Sequence, residues 1–196
     1  MKIETLGVFG GESLDCRMTC LLVNDRVALD AGSLSQALSI ERQQAVESIV
    51  LSHSHMDHTT SLPFFVENVF GRVREAVDVH ASAATIYALR KHLFNNDTWP
   101  DFTRLPNHLL PAVRFHELVD ERPVTVGGVR FTPIPVDHLV PTHGFLIEDG
   151  ESAVLWSSDT GPTRRLWEIA NATPHLKAIC LDTSFDNGLQ RVADVS

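Results

Sequence analysis

Between Leu51 and His58 the chain reads Leu-Ser-His-Ser-His-Met-Asp-His, which places His53, His55, Asp57 and His58 within six residues. Neutral imidazoles and ionised carboxylates are the donors that divalent zinc, manganese or iron accept. A polar loop has little structural use for four such groups in so short a span, whereas a metal centre requires them on a short stretch of backbone. The apolar run Ser48-Ile49-Val50-Leu51 reads as a buried strand, and the donors begin where it ends. Side chains alternate on an extended backbone, so His53, His55 and Asp57 are expected on one face, with the adjacent Asp57 and His58 diverging. That predicts one cluster serving two neighbouring metal ions.

Other strand ends deliver the same residue types. Asp30-Ala31-Gly32 closes an apolar run at 26–30, His138 follows a strand at 129–136, and Asp159 follows one at 153–158. Such recurrence is expected of a site assembled from loops at one edge of a sheet. By donor chemistry, His53, His55 and His138 hold one ion and Asp57 and His58 begin the second. Asp159, with two oxygens, bridges them. Two ions about 3.5–4 Å apart can share a hydroxide and bring the pKa of water from about 15.7 towards about 7. Asp57 is the candidate catalytic carboxylate. His143 is the rival of His138 and is read instead as approaching a substrate phosphate. His80 reads as a structural histidine, His92, His108, His116 and His175 as surface or packing residues, and Arg164 and Arg165 as an exposed helix face.

The elements that must position these groups follow from pattern. Strands are expected at 2–8, 18–24 and 26–30, with a hairpin turn at Asn24-Asp25. Helices are expected at 39–47 behind Ser39, at 59–70 with Pro63 in its first turn, and at 82–94 behind Ser82, with a strand at 76–80 before the last of these. The proline-punctuated, aromatic stretch 95–111 reads as a loop that could cover the site. Strands at 113–119, 123–126, 129–136, 144–148, 153–158 and 177–182 follow, with a helix at 162–171 led by Pro162 and another beginning at Leu189. Strands arriving in consecutive hairpins with helices between predict a two-sheet mixed fold rather than a repeating βαβ chain.

With 196 residues the chain is sized for a single domain, 1–196. Its 16 Lys+Arg against 25 Asp+Glu give a net charge of −9, which argues against a nucleic-acid partner and leaves room for a small anionic substrate held through metal. No apolar run approaches the roughly 20 residues of a membrane span, and Met1–Asp15 lacks the apolar stretch of a secretory signal, so a cytoplasmic protein is expected. The three cysteines, Cys16, Cys20 and Cys180, are expected to be reduced. Nothing in the composition opposes a homodimer.

The His53-Ser54-His55-Met56-Asp57-His58 run resembles the H-x-H-x-D-H hallmark of the metallo-β-lactamase superfamily. The resemblance extends to Asp30-Ala31-Gly32, to His138 after its strand, and to Ser157-Ser158-Asp159-Thr160. It implies an α+β fold, an αββα four-layer sandwich, with two divalent metal ions (zinc, manganese or iron) at one edge and Asp30 orienting the ligand loop. Within that superfamily the stretches 53–65, 89–102, 136–150, 157–170 and 181–196 look most like class II 3′,5′-cyclic nucleotide phosphodiesterases. That implies hydrolysis of a cyclic nucleotide such as cAMP to a 5′-monophosphate. In that family the Ala-Asp-Val-Ser segment, here 193–196, leads into a Gly-His-Leu-Thr motif and later a last ligand histidine. The expectation is therefore a C-terminally incomplete domain, with the first metal site complete, the second short of a ligand, and apolar edge surface exposed. The competing readings are another hydrolase of the superfamily (a tRNA 3′-processing endonuclease, a lactonase or a thioesterase) and an inactive metal-binding domain.

Overall fold

The structure is a computed structural model and describes residues 1–107 and 109–183; His108 and the helix expected from Leu189 lie outside the described residues. β1 (Ile3–Gly7) pairs antiparallel with β2 (Cys20–Val23), and β2 with β3 (Val27–Leu29). The turn between β2 and β3 is the expected one. Asn24 and Asp25 both lie at positive φ, 49° and 58°, the backbone of a tight two-residue turn.

After β3 the chain departs from the hairpin expectation. Helices α1 (Leu34–Ala37) and α2 (Ile40–Gln44) lead to β4 (Ser48–Val50). Helices α3 (Met56–Thr59) and α4 (Leu62–Val69) lead to β5 (Val77–Ser82). Then α5 (Ala83–His92) and a short hairpin of β6 (Pro106–Asn107) and β7 (Leu110–Pro111) lead to β8 (Val113–Leu118). Strands β3, β4, β5 and β8 all pair in parallel, in the order β1-β2-β3-β4-β5-β8. This half of the molecule is thus a run of helical crossovers. β3 and β4 have three residues each, buried on both faces, so they carry no alternation that would separate parallel from antiparallel pairing. Ser39 and Ser82 cap α2 and α5 as expected, their hydroxyls accepting from Arg42 N and Thr85 N at 3.4 and 3.1 Å.

The second sheet contains β9 (Val124–Val126), β10 (Val129–Val136), β11 (Thr142–Glu148) and β12 (Ala153–Trp156) in antiparallel succession. Helix α6 (Arg165–Ala172) then carries the chain to β13 (Leu176–Cys180), parallel to β12 at the sheet's edge. α6 starts three residues after Pro162, because the preceding loop is tied by Gly161 N–H to Asp137 O at 2.7 Å. β13 leaves Ala178 and Ile179 exposed.

Alternation along the strands builds three apolar layers. Leu21, Leu29, Val50, Phe131, Phe145 and Ile147 fill the space between the sheets. Leu22, Ile49, Leu62, Phe65 and Val79 pack the other face of the first sheet under α4 and α5. Ile134, Leu155 and Leu166 join the second sheet to α6. Helices outside and two sheets inside make the αββα sandwich. Each fully buried Leu or Phe contributes about 1.5–3 kcal/mol by removal from water.

The aromatic stretch 95–111 does not cover the donors. Phe94 and Phe102 are buried in the helix-side core, and Trp99 packs edge-on against Phe64 at 5.2 Å. Val77 N–H donates to Ala112 O at 2.9 Å and Ala112 N–H to Leu105 O at 2.7 Å, which fixes the β6–β7 hairpin at the beginnings of β5 and β8. The donor loop follows the opposite end of β4. Among the described residues no helix is long and apolar enough to cross a membrane, and Cys16, Cys20 and Cys180 are free thiols.

Candidate metal centre

The donor loop starts where β4 stops. Leu51 N–H still donates to His80 O at 2.8 Å, and the backbone stays extended through His55, which serves as the N-cap of α3 with φ −62° and ψ 152°. Extension therefore puts His53 and His55 in register. Asp57 leaves that alternation because Met56–Thr59 is a helical turn, contrary to the extended reading. The change of backbone splits the run: His53 and His55 turn to one cluster, Asp57 and His58 to another.

The short α3 is held from beneath by residues 30–32. Ala31 N–H donates to His58 O at 2.7 Å, and Ser61 N–H returns to Ala31 O at 2.9 Å. Gly32 is needed because a Cβ there would stand 1.9 Å from Asp57 O and 2.8 Å from Thr19 O. Asp30 is fully buried at φ 59°, a left-handed backbone that Asp adopts more readily than most residues. Its Oδ1 accepts from Ser52 N–H at 2.8 Å and its Oδ2 lies 2.8 Å from His58 Nδ1. Ser52 Oγ bridges to His53 Nδ1 at 2.9 Å. The Nδ1 atoms of His53 and His58 are thereby occupied, and their Nε2 atoms are free to face the clusters.

The second sheet supplies the rest from above. His138 follows β10, and Asp159 follows Ser158, whose φ of 54° turns the chain sharply after β12. Ser157 N–H donates to Cys180 O at 2.9 Å, and the Gly161–Asp137 bond draws the Asp159 loop beside His138. One donor atom each from His53, His55, His138 and Asp159 lies within 4.8 Å of the others, and the same holds for Asp57, His58 and Asp159. Asp159 belongs to both. Its Oδ2 is 4.0 Å from His53 Nε2 and 3.8 Å from His138 Nε2, while its Oδ1 is 3.2 Å from His58 Nε2. The rings of His53, His55 and His138 lie edge-on to one another, with centroids 4.7–4.9 Å apart and planes 72–79° apart, as imidazoles do when they converge on one point.

The donor set fits a pair of divalent cations. His53 Nε2 and His58 Nε2 are buried and make no hydrogen bond of acceptable geometry, and a ligated cation would satisfy both. Burial, reinforced by the charge of His58, pushes the pKa of His53 down, so its lone pair is available. Burial also depresses His138. For His58, burial opposes the charge, but Asp30, Asp159 and Asp57 overcome it and push the group up to about 12. Burial likewise opposes ionisation of Asp57 and Asp159, yet His58 holds both carboxyls below the usual range. Three carboxylates around one imidazole make a pocket of negative potential suited to a cation. The second cluster offers three donors among the described residues, one short of the four that zinc commonly takes.

The structure thus brings together His53, His55, Asp57, His58, His138 and Asp159, with Asp30 beneath. It does not bring His143 to either cluster. That residue is 4% exposed, its Nε2 is 2.8 Å from Asp120 Oδ1, and its N–H donates to Ser52 O at 3.1 Å. Arg165 is engaged by Glu121 and Glu168, consistent with an exposed helix face. Ser52 escaped sequence reasoning, and Gly32 was noted only as the end of the Asp30-Ala31-Gly32 run. A buried hydroxyl between two histidines has no spacing of its own, and the Asp30-Ala31-Gly32 run gave no sign of what packs on its glycine.

A family model described as the β-lactamase superfamily domain matches residues 23–190. The chain belongs to the metallo-β-lactamase superfamily. It is 29% identical over 199 residues to a probable 3′,5′-cyclic-nucleotide phosphodiesterase of Yersinia pestis, covering 82% of this chain and 54% of that protein. It is 25% identical over 126 residues to a 3′,5′-cyclic-nucleotide phosphodiesterase of Candida albicans, covering 62% of this chain and 27% of the relative. The chain thus spans about half of the first relative's length and about a quarter of the second's. The crystal structure of the short form of human tRNase Z superposes with a TM-score of 0.73 at 13% identity, covering 100% of this chain and 83% of that one, a likeness of fold.

Proposed function

We propose that this superfamily member is a metal-dependent phosphodiesterase that hydrolyses a 3′,5′-cyclic nucleotide such as cAMP to the 5′-monophosphate. The observation that carries the reading is the pair of donor clusters sharing Asp159. The similarity to the Yersinia and Candida phosphodiesterases points it towards cyclic nucleotides. We further propose that residues 1–196 act as one metallohydrolase unit, with the fourth donor of the second cluster coming from outside the described residues.

Zinc, manganese or iron held in the clusters would supply Lewis acidity to the phosphoryl oxygens and to water. The protein's own contribution is placement. His53, His55 and His138 fix the first cluster, and Ser52 and Asp30 fix the ring orientations of His53 and His58. Asp57, ionised beside His58, accepts the proton of the attacking water at its carboxylate, and the 3′ oxygen departs from phosphorus opposite the incoming oxygen and takes a proton from solvent water to become the 3′-hydroxyl. Net charge of −9 favours a small substrate over a polyanionic RNA.

The test is cAMP hydrolysis by protein loaded with zinc or with manganese, followed as AMP. Turnover is expected, and Asp57→Ala should lower kcat at least about 100-fold, the scale of a lost general base, with the thermal midpoint of the metal-free protein little changed. No turnover of any cyclic nucleotide in either metal form removes the reading. Activity confined to a lactone, a thioester or a precursor tRNA in a parallel panel would replace it with another hydrolase.

A further inference from the structure

Beside the second cluster the two sheets part in a cleft of about 570 Å³. Asp57 and Asp159 stand at one end of it, while His53, His55 and His138 take no part in its lining. Its apolar lining comes from Val8 and Phe9 of the β1–β2 loop, 54% and 48% exposed, and from Trp156 and Leu181. Thr5, Thr19 and Thr183 belong to the same lining. The loop bearing Phe9 runs close beside the ligands, since a Cβ on Gly10 would lie 3.5 Å from Asp57 Oδ2.

Among the described residues the lining includes Asp57, Asp159 and Asp182 and no lysine or arginine. With no cationic side chain among those residues the cleft offers a bare phosphate no partner, and the phosphate belongs over the metal clusters. It suits an uncharged planar ring, whose faces meet aromatic and aliphatic walls and whose edge nitrogens and oxygens meet hydroxyls. Its volume lies within the roughly 300–1,000 Å³ of small-molecule sites. We propose that the cleft receives the nucleobase, with Phe9 and Trp156 as its aromatic walls, so that the substrate lies with its phosphorus at the clusters and its base on the side of Asp57. The inference rests on the cyclic-nucleotide reading and adds to it the residues that select a nucleotide from other phosphodiesters.

The test compares AMP with ribose 5-phosphate, two monophosphates that differ by the base, binding to the zinc-loaded protein by calorimetry. Wild type should bind AMP about tenfold more tightly, the scale of one base stacked on an aromatic ring. Phe9→Ala should erase most of that preference and leave ribose 5-phosphate unaffected, and Phe9→Trp should retain it. For cAMP hydrolysis, Phe9→Ala should raise KM by a similar factor with kcat nearly constant. Equal affinity for the two ligands in wild type, or equal weakening of both in Phe9→Ala, overturns the assignment. A base preference that Phe9→Ala abolishes, in a protein without cyclic-nucleotide turnover, upholds the cleft assignment and counts against the phosphodiesterase reading alone.

Discussion

Asp30 is fully buried, and its carboxylate ties Ser52 and His58 together from below. Its role can be separated from its backbone, because Asn tolerates the same positive φ and nearly the same shape while losing the charge. Asp30→Asn is expected to fold and to lose about 10- to 100-fold in metal affinity, the usual cost of removing a group that orients a ligand histidine. Chelator competition measures it, and an unchanged affinity would reduce Asp30 to a structural acid. At this scale most of the site was legible: H-x-H-x-D-H, His138 and Asp159 are residue types whose chemistry survives without coordinates. His138 was chosen over His143 from its place at a strand end, whereas the surroundings of His143 needed the fold. Both lie near the end of a strand, and only the pairing of β10 with β11 shows His143 turned towards Asp120.

At the level of elements, α3 and the turn beneath it form one unit. Gly32→Ala would set a methyl group against Asp57 O, which can be relieved only by lifting α3. A loss of about 1–3 kcal/mol in urea stability is expected, the usual cost of overpacking. Metal stoichiometry should fall at the cluster containing Asp57 and His58. A variant with native stability and full stoichiometry would show that α3 yields freely. β5 and β8 offer an independent test. His80 and His116 are cross-strand partners with stacked rings 4.7 Å apart. Burial first, and the charge of His116 second, push His80 down to about 4 against the pull of Asp78. Between its ordinary value of about 6.5 and about 4, the unfolded chain binds a proton that the folded chain refuses. Stability from this group is complete above that window and is lost as pH falls through it. The drop in urea midpoint between pH 7.5 and pH 5 should therefore be smaller in His80→Gln than in wild type, and an equal drop would place the acid sensitivity elsewhere. These elements were harder to read in advance. α3 has four residues and β4 three, both shorter than the repeat that reveals an amphipathic pattern. Trp99 and Phe102 looked like a lid because composition cannot distinguish an aromatic loop over a site from one packed on a helix layer.

For the whole molecule, the donors divide between the two sheets. His53, His55, Asp57 and His58 come from the first, His138 and Asp159 from the second, and bound metal therefore fastens one to the other. Removing it should lower the thermal midpoint in a metal-concentration-dependent way, by the equivalent of about 2.7 kcal/mol at 100-fold excess over Kd. Hydrogen exchange should quicken at the ends of β4, β10 and β12 and stay unchanged in the β6–β7 hairpin at the far ends of the strands. Uniform acceleration would mean that metal stabilises the fold without joining the layers. The two-sheet plan was foreseeable from apolar runs and turns and its outer helix layers from the family resemblance, whereas the parallel block from β3 to β8 was not, since the short, fully buried β3 and β4 conceal their direction. One further consequence follows from Asp159, which turns Oδ1 towards His58 and Oδ2 towards His53 and His138. A single rigid carboxylate cannot settle on one side without being positioned for the other. Filling either cluster therefore alters the affinity of the other, and by reciprocity to the same extent. A titration with one kind of metal should consequently depart from the curve of two independent sites, and the half-loaded protein should be scarce or abundant according to the sign of that coupling.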